Sequence, residues 1–422
     1  MSPAETLRAL FDVAVAVAQP DRRIPGFLPS PPKGKTVVVG AGKSAAAMAR
    51  AVENAWTGPL AGVVVTRYGH SVETQVIEVL EAAHPGPDAN GMAAAARILQ
   101  TVAPLGAEDL VICLISGGGS ALLTLPPAGV SLDALVEINR QLLRSGADIG
   151  EMNTVRKTLS RSSGGRLAAA AYPARVVALI VSDVPGDDLR AIASGPTIGD
   201  TVTASDALEI LQKYAIQVPT AVADYLRQGI NPVIAPGDPR LSTTTNHLIA
   251  TPQQSLAAAA TRAQELGYTA LILGSAIAGE SKQVGIVHGG IARQVAQYDQ
   301  PIAPPCVLLS GGETTVTVTG TAGRGGRNSE FLLALAIALN GLERVWAIAC
   351  DTDGIDGSEN NAGALITPDT LQQGRAHGLA AADFLARHDS YAFFQAVDAL
   401  IETGPTLTNV NDFRAILIAP PP

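Results

Sequence analysis

The chain has 422 residues, more than a single core usually holds, so two α/β domains are expected. Apolar residues make up 47% of it and aromatic residues only 4%, a balance typical of parallel sheets covered by helices. The net charge of −9 argues against a general nucleic-acid-binding protein, although local basic groups can still bind small anions.

Several other classes are excluded by what the sequence lacks. The three cysteines lie in apolar runs without metal-binding spacing, which favours buried thiols over disulfides or a zinc site. No stretch is apolar for long enough to cross a membrane, and no signal peptide is recognisable at the N-terminus. The six histidines do not cluster, which gives no support to a hydrolase triad. We therefore expect a cytoplasmic protein without a membrane or nucleic-acid partner.

Short apolar strands alternate with helical stretches in the first half of the chain. The predicted strands are 36–39, 62–66, 75–81, 109–115 and 176–181. The predicted helices begin near residue 44 and cover 132–143 and most of 153–171. This alternation predicts βαβ units, and hence an α/β fold with Rossmann-like, mostly parallel sheets flanked by helices.

A segment rich in glycine and proline, Gly229 to Pro239, interrupts the alternation and is the predicted linker and hinge. We therefore expect an N-terminal Rossmann-like domain at 1–238 and a C-terminal α/β domain at 239–422. Predicted strands of the second half are 246–250, 270–273, 306–310, 314–319, 344–350 and 415–419. Its predicted helices are 252–266, 279–298 and 328–340.

The first glycine-rich turn, Gly40-Ala41-Gly42-Lys43-Ser44, follows a strand and precedes a helix. Glycines let backbone amides approach an anion at a helix N-terminus, and Lys43 adds a full charge. The turn lacks the spacing of a P-loop but matches a loose dinucleotide-binding pattern. The second strand ends at Arg67 rather than at an acidic residue, so an NADP-binding interpretation stays open beside phosphoryl transfer.

Two further clusters in the first half carry groups suited to anions. Ser116, Gly117, Gly118, Gly119 and Ser120 end a buried strand and predict a nest of backbone N–H groups. Asn153 and Arg156 lie one helical turn apart and can share a face that binds phosphate or carboxylate.

Aspartates at strand ends are candidates for metal binding and proton transfer. Asp183 follows strand 176–181, and Asp351 and Asp353 follow strand 344–350. Magnesium typically takes one or two carboxylates together with phosphate oxygens and water. An ordinary Asp-Gly turn explains the second pair equally well, and the sequence does not choose among the three.

The segment 310–328 combines glycines with charged side chains. Gly311 and Glu313 follow a strand, while Arg324, Arg327 and Asn328 lie in or just after a glycine-rich loop that precedes a helix. Arginines at such a position can neutralise the charge of a phosphoryl transition state. We therefore predict this segment to take part in phosphate binding.

Together these motifs resemble the glycerate kinases whose C-terminal half is called the MOFRL domain. The matching stretches occur in the family's order and cover nearly the whole chain; they lie at 40–44, 116–121, 153–157, 182–188 with 194–197, 310–314, 323–328 and 351–357. Two departures are Ser162-Ser163, where the family pattern has a lysine, and Ser329, where it has glutamine.

The resemblance implies a two-domain fold with the active site in the interdomain cleft. It implies ATP, Mg²⁺ and phosphorylation of D-glycerate to 2-phosphoglycerate, with homodimer formation left open. Catalytic roles in the family carry over to Lys43 and to Arg324 or Arg327, and Asp183 is a candidate base. Two alternatives remain: an NAD(P)H-dependent hydroxypyruvate reductase, and a nucleotide-binding sensor without chemistry.

Overall fold

A computed structural model describes residues 1–229, 233–318, 320 and 323–420. The strands are β1 (Thr36–Ala41), β2 (Ala61–Arg67), β3 (Ile77–Ala82), β4 (Leu110–Ile115), β5 (Arg175–Val181), β6 (Thr244–Ala250), β7 (Thr269–Glu280), β8 (Cys306–Thr315), β9 (Val345–Asp351), β10 (Gly363–Ile366), β11 (Leu400–Ile401) and β12 (Asp412–Ile418).

The helices are α1 (Pro3–Val17), α2 (Pro20–Arg23), α3 (Ala45–Ala55), α4 (Ala89–Val102), α5 (Gly119–Leu122), α6 (Leu132–Ser145), α7 (Ile149–Thr158), α8 (Arg166–Ala171), α9 (Ala204–Lys213), α10 (Thr220–Arg227), α11 (Pro252–Glu265), α12 (Ser281–Tyr298), α13 (Arg327–Leu339), α14 (Thr370–Ala376), α15 (Ala381–Ala386) and α16 (Ser390–Ala396). None of those lying in the described residues is both long and apolar enough to cross a bilayer. The expected α/β fold class is confirmed.

The chain forms two compact units whose boundaries differ from the predicted ones. The first, called here the N-terminal unit, comprises Pro20–Ser182 and Asp187–Ile249. The second, called the C-terminal unit, comprises Met1–Gln19, Asp183–Gly186 and the chain from Ala250 onward. The boundary predicted at 238/239 did not account for α1, which packs with the C-terminal unit. It also did not account for Asp183–Gly186, the short segment after β5 that belongs to the same unit.

The predicted linker lies partly outside the described residues, namely at 230–232. Just after that gap, Val233 and Ile234 are only 5% and 8% exposed. The N–H of Ile234 donates to the carbonyl of Gly164 at 2.9 Å, and its own carbonyl accepts from Asp200 at 2.8 Å. Val233 and Ile234 are therefore packed into the N-terminal unit, whereas residues 235–237 are exposed. The linker and hinge stay a prediction.

The sheet of the N-terminal unit has the strand order β3-β2-β1-β4-β5-β6. Its pairs β1/β2, β1/β4, β2/β3 and β4/β5 are all parallel, as predicted. The order reverses between β1 and β4, and ligands of open α/β sheets bind outside the carboxyl ends of strands at such a point. The two predicted anion-binding turns follow these two strands, so the topology brings them to the same edge of the sheet.

The sheet of the C-terminal unit has the order β11-β10-β9-β12-β8-β7. Among its described strands, β7 and β8 pair in parallel, whereas β12 runs antiparallel to both β8 and β9, and β10 runs antiparallel to β9 and β11. A mostly parallel sheet was expected here, but the last strand inserts between two earlier ones. The segments 306–310 and 314–319 were predicted as two strands, whereas β8 is continuous to Thr315, and residue 319 lies outside the described residues.

Apolar helices cover both faces of this second sheet. On one face α1 and α11 bury Leu7, Phe11 and Leu256 against β8, β9 and β12. On the other face α13 is almost wholly buried and packs with α12 and the short helices after β10. The cysteines at 113, 306 and 350 are buried thiols, as predicted.

Candidate functional site

The turn between β1 and α3 is shaped by the close approach of β4. A Cβ atom on Gly42 would lie 2.1 Å from Ser116 Oγ, and the φ of Gly42 is +137°. The N–H of Lys43 donates to the Gly117 carbonyl at 2.8 Å, and the N–H of Ser44 donates to Ser116 Oγ at 3.0 Å. Gly42 is therefore the residue that this conformation and this spacing require.

The turn after β4 presents backbone donors at the same edge. Within the described chain, the N–H groups of Gly117 and Gly118 donate to no protein acceptor. Gly118 has a φ of +82°, and the short helix α5 begins directly after it. Consecutive N–H groups in such a turn form a concave site that attracts anions. Ser120 Oγ lies 2.8 Å from Ser194 Oγ, which anchors the end of the turn.

Lys43 lies beside this nest and is partly exposed. A Cβ atom on Gly118 would lie 3.5 Å from Lys43 Cγ and 3.0 Å from His84 Cδ2. Glycine at 118 thus leaves room for both side chains. His84 was not predicted as a site residue; the available signal was its place just after β3, at the same sheet edge. Gly40 lies earlier in β1, where its absent Cβ allows contact with β4.

Asn153 and Arg156 share a face of α7, as their spacing predicted. The Arg156 guanidinium donates to Asn153 Oδ1 at 3.3 Å and to Asn139 Oδ1 at 2.9 Å. Burial lowers the pKa of Arg156. The neighbouring Lys157 does not join this face, because it is buried and pairs with Asp200 at 2.6 Å.

In the C-terminal unit, Arg327 is the centre of a cluster of acidic and amide side chains. Its Nε donates to Asp412 at 2.7 Å, its Nη1 to Glu313 at 2.7 Å, and its Nη2 to Asp351 at 2.9 Å and to Asn411 at 2.7 Å. We call these five residues the Arg327 cluster. Burial lowers the pKa of Arg327, but the charges of Asp412, Asp351 and Glu313 raise it well above its usual range.

The hydrogen bonds of Arg327 bear on its predicted role in phosphate binding. A guanidinium has five N–H donors, and those of Arg327 already serve four protein acceptors. Arg324 differs: its side chain is 53% exposed, pairs with Glu359 at 2.5 Å and lies 4.2 Å from the Tyr391 ring. Of the two predicted arginines, Arg324 is therefore the more accessible to a ligand.

Asp412 links Arg327 to the interior of the unit. Its carboxylate accepts from the Asn328 amide at 2.8 Å and from the buried guanidinium of Arg414. Asn328 is completely buried and its amide supports Asp412, while its role in ligand binding stays a prediction. Gly311 lies in β8, where an added Cβ would come 3.1 Å from the Asp412 carbonyl.

The aspartates predicted as metal ligands have separate protein partners. Asp351 accepts from Arg327 and from the N–H of Asp353, while Asp353 Oδ1 accepts from the N–H of Ile355 at 2.9 Å. Asp183 accepts from Asn409 at 3.1 Å, and its carbonyl accepts from Asn411, which also bonds Arg327. Asp183 thus joins the Arg327 cluster through Asn411, a long-range contact that the sequence could not indicate.

The third aspartate of the 351–357 motif, Asp356, caps helix α13. Its carboxylate accepts from the N–H groups of Asn328 at 2.9 Å and Ser329 at 2.8 Å, and from Ser329 Oγ at 2.6 Å. An anion at a helix N-terminus is stabilised by these donors and by the helix dipole. Ser329, a departure from the family pattern, is therefore used in the cap of the helix that carries Arg327.

The buried histidine His288 leads us to expect that stability depends on pH. Its Nε2 is 3.0 Å from Ser310 Oγ. Burial lowers its pKa, a hydrogen bond to the Val284 carbonyl opposes this, and the Arg414 charge lowers it again, so that the net pKa is about 4 instead of 6.5. Below pH 6.5 the unfolded chain protonates this group and the folded chain does not, so stability falls between these values. By pH 4 the loss reaches roughly 3 kcal/mol.

Urea unfolding midpoints at pH 7 and pH 4.5 test this expectation. In His288→Gln the difference between the two midpoints should shrink, because the glutamine keeps a polar group near Ser310 without titrating. His377→Gln, at an exposed histidine, is the matched control. An equal midpoint difference in all three proteins would contradict the assignment.

Comparisons with known proteins agree with this architecture. Residues 6–227 match a family described as a domain of unknown function, DUF4147, and residues 306–412 match the MOFRL family. A D-glycerate 2-kinase of Thermotoga maritima is 40% identical over 94% of this chain and 94% of its own length.

Two further similarities concern one sequence and one structure. A protein of Agrobacterium vitis, named provisionally as a hydroxypyruvate reductase, is 51% identical over 99% of this chain and 95% of its own length. The crystal structure of a Thermotoga maritima glycerate kinase superposes with a TM-score of 0.87 at 38% identity, covering 98% of this chain and 99% of the other. The chain therefore belongs to the glycerate kinase family in which a DUF4147 region is followed by a MOFRL domain.

Proposed function

We propose that this protein is an ATP-dependent kinase that converts D-glycerate to 2-phosphoglycerate. The observation that carries the proposal is the pair of turns at the carboxyl ends of β1 and β4, where N–H groups of Gly117 and Gly118 adjoin Lys43. Such an arrangement suits a transferring phosphoryl group, because backbone donors and a fixed cation both stabilise its oxygens. The glycerate kinase names of relatives similar over nearly the whole chain agree with it.

In this proposal Lys43, the residues of the turn 116–120, and Gly40 and Gly42 form the phosphate-binding part of the site. The chemistry requires an acceptor hydroxyl in line with the phosphoryl group and a group that takes its proton. Asp183 is the proposed base; its carboxylate accepts a hydrogen bond from Asn409, which fixes its orientation. Asn153 and Arg156 remain proposed nucleotide contacts.

The two arginines are assigned different roles. Arg324 is the proposed partner of phosphate oxygens, because its guanidinium is half exposed and is oriented by Glu359 and the Tyr391 ring. Arg327 is a proposed positioning residue, since its donors hold Asp351, Asp412 and Glu313 in fixed places. Its replacement should therefore affect folding stability as well as turnover.

Magnesium enters the proposal as a partner of the nucleotide, and Asp183, Asp351 and Asp353 remain its proposed protein ligands. Across the described residues, no three acidic, histidine or cysteine side chains converge closely enough to hold a metal ion. Asp351 and Asp353 each have backbone or arginine partners, so they do not form a preformed cage. A magnesium ion bound to ATP would neutralise phosphate charge, and one or two carboxylates are the protein contribution that such an ion typically takes.

A pair of assays tests the proposed function. ADP formation should require D-glycerate and should stop in excess chelator, because the magnesium complex of ATP is the proposed donor. Hydroxypyruvate should cause no oxidation of NADH or NADPH. Full turnover in chelator would refute the role of a divalent ion. ADP formation at the same rate with and without D-glycerate would refute glycerate kinase activity.

The reductase remains the second candidate because of the name given to the Agrobacterium relative. It would need a nicotinamide site, and Arg67 at the end of β2 is the group that an NADP phosphate would contact. Oxidation of NADPH by hydroxypyruvate, lost in Arg67→Ala, would support it. A cytoplasmic location and a homodimeric state stay predictions of the sequence.

A further inference from the structure

A second group of basic side chains in the N-terminal unit plays no part in the proposed reaction. It lines an open cavity of about 290 Å³ formed by Pro127, Ala128, Arg161, Arg166 and Tyr225. We call this cavity the Arg161–Arg166 pocket. It shares no residue with the turns at 42–44 and 116–120.

The two arginines of the pocket have no acidic counterpart among the described residues that line it. These lining residues are Pro127, Ala128, Arg161, Arg166 and Tyr225, and none is a carboxylate. Arg161 is exposed and, among the described residues, its side chain has no ion pair or hydrogen bond. The nearby Asp224 is engaged with Arg227 at 3.2 Å. In a chain with a net charge of −9, two neighbouring guanidinium groups without a carboxylate partner are an unusual local charge.

The pKa of Arg166 is affected by the neighbouring charge of Arg161. Burial lowers the pKa of Arg166 and the charge of Arg161 lowers it further, against the opposing effect of Tyr225. Like charges in a partly buried place are destabilising unless an anion binds between them. An anion bound between the two guanidinium groups would therefore reduce their mutual repulsion.

Local hydrogen bonds hold the side chain of Arg166 and the backbone of Arg161 in position. Arg166 Nη1 donates to the Ser160 carbonyl, and the N–H of Arg161 donates to the Leu125 carbonyl at 2.8 Å. Ser160 Oγ in turn accepts from Ser163 Oγ at 2.9 Å. The serines at 162 and 163, where the family pattern has a lysine, are thus buried parts of the support for this pocket.

We propose that the Arg161–Arg166 pocket binds a phosphate dianion, either inorganic phosphate or the phosphate of a small phosphomonoester. Two guanidinium groups carry two positive charges, and a phosphomonoester near neutral pH carries about −1.5 to −2. A monocarboxylate would neutralise only one of them. Arginine forks match phosphate oxygens bidentately, and the Tyr225 hydroxyl adds a donor at the pocket wall.

The test is calorimetric titration of the full-length protein with inorganic phosphate. A Lys43→Ala background weakens binding at the proposed phosphoryl site, so that the remaining binding reports on the pocket. Adding Arg161→Ala should weaken this binding about tenfold or more, since a charge-assisted pair is lost. Arg161→Lys should be intermediate, because it keeps the charge but loses the fork.

Arg227→Ala is the matched control, since that arginine is exposed, lies on α10 beside Tyr225 and does not line the pocket. Parallel titrations with glycerol phosphate and acetate distinguish the ligands: tighter binding of glycerol phosphate identifies an ester, and tighter binding of phosphate identifies the free ion. Absence of phosphate binding in Lys43→Ala, equal affinity in Arg161→Ala and Arg227→Ala, or acetate binding as tight as phosphate would each overturn the proposal.

Discussion

Lys43→Ala should lower kcat for glycerate phosphorylation by about 100-fold or more while leaving the fold intact. The lysine lies beside the nest of N–H groups at 117–118, where a transferring phosphoryl group would be held. Phosphoryl transfer spreads charge over oxygens that a fixed cation stabilises most in the transition state. Loss of such an interaction lowers kcat and kcat/KM together.

Steady-state kinetics of Lys43→Ala, Lys43→Arg and Lys35→Ala measure this effect. Lys43→Arg should recover little, because a planar fork does not replace a compact ammonium in a tight turn. Lys35 is exposed and immediately precedes β1, so its replacement should leave turnover unchanged. A rise in the KM for ATP alone in Lys43→Ala would make the lysine a binding residue and move the chemistry toward Arg324.

Asp412→Asn should destabilise the protein by about 3–5 kcal/mol. The Asp412 side chain is completely buried and accepts from both Arg327 and Arg414. Arg414 is 1% exposed, and within the described ranges its Nε and Nη1 already lack hydrogen-bond partners. Removing the Asp412 charge leaves the Arg414 guanidinium buried without an opposite charge. This destabilises the fold by more than the Asp412–Arg414 ion pair stabilises it.

Urea unfolding followed by circular dichroism measures the change, with Asp412→Asn/Arg414→Met as the decisive comparison. Replacing the second buried charge by an apolar side chain of similar length should recover much of the lost stability. Asp238→Asn, in a pair whose aspartate is 20% and whose arginine, Arg240, is 51% exposed, should change stability by less than about 1 kcal/mol. Equal midpoints for Asp412→Asn and Asp238→Asn would contradict the buried-charge argument.

The sequence predicted local features well because they depend on neighbouring residues. The turn at 40–44 was predicted from glycines and a lysine between a strand and a helix, and its residues 42–44 lie between β1 and α3. The parallel order of the first sheet follows from alternating strands and helices. The spacing of Asn153 and Arg156 likewise predicted their shared helix face.

Features that depend on distant residues were not predictable in the same way. The antiparallel insertion of β12 between β8 and β9 pairs segments from three parts of the chain. Arg327 was predicted to face phosphate, yet its partners come from residues 313, 351 and 411–412. Nothing in the local sequence around Arg327 indicates these partners, so its hydrogen bonds could be identified only from the folded structure.

The most direct test of the proposed function is phosphorus NMR of the protein with ATP, magnesium and D-glycerate. If the proposed reaction occurs, a phosphomonoester signal of 2-phosphoglycerate should grow at the same rate as ADP. Lys43→Ala should give no such signal on the same time scale, as expected for the proposed reaction. Release of inorganic phosphate without a glycerate ester, or a 3-phosphoglycerate product, would contradict it.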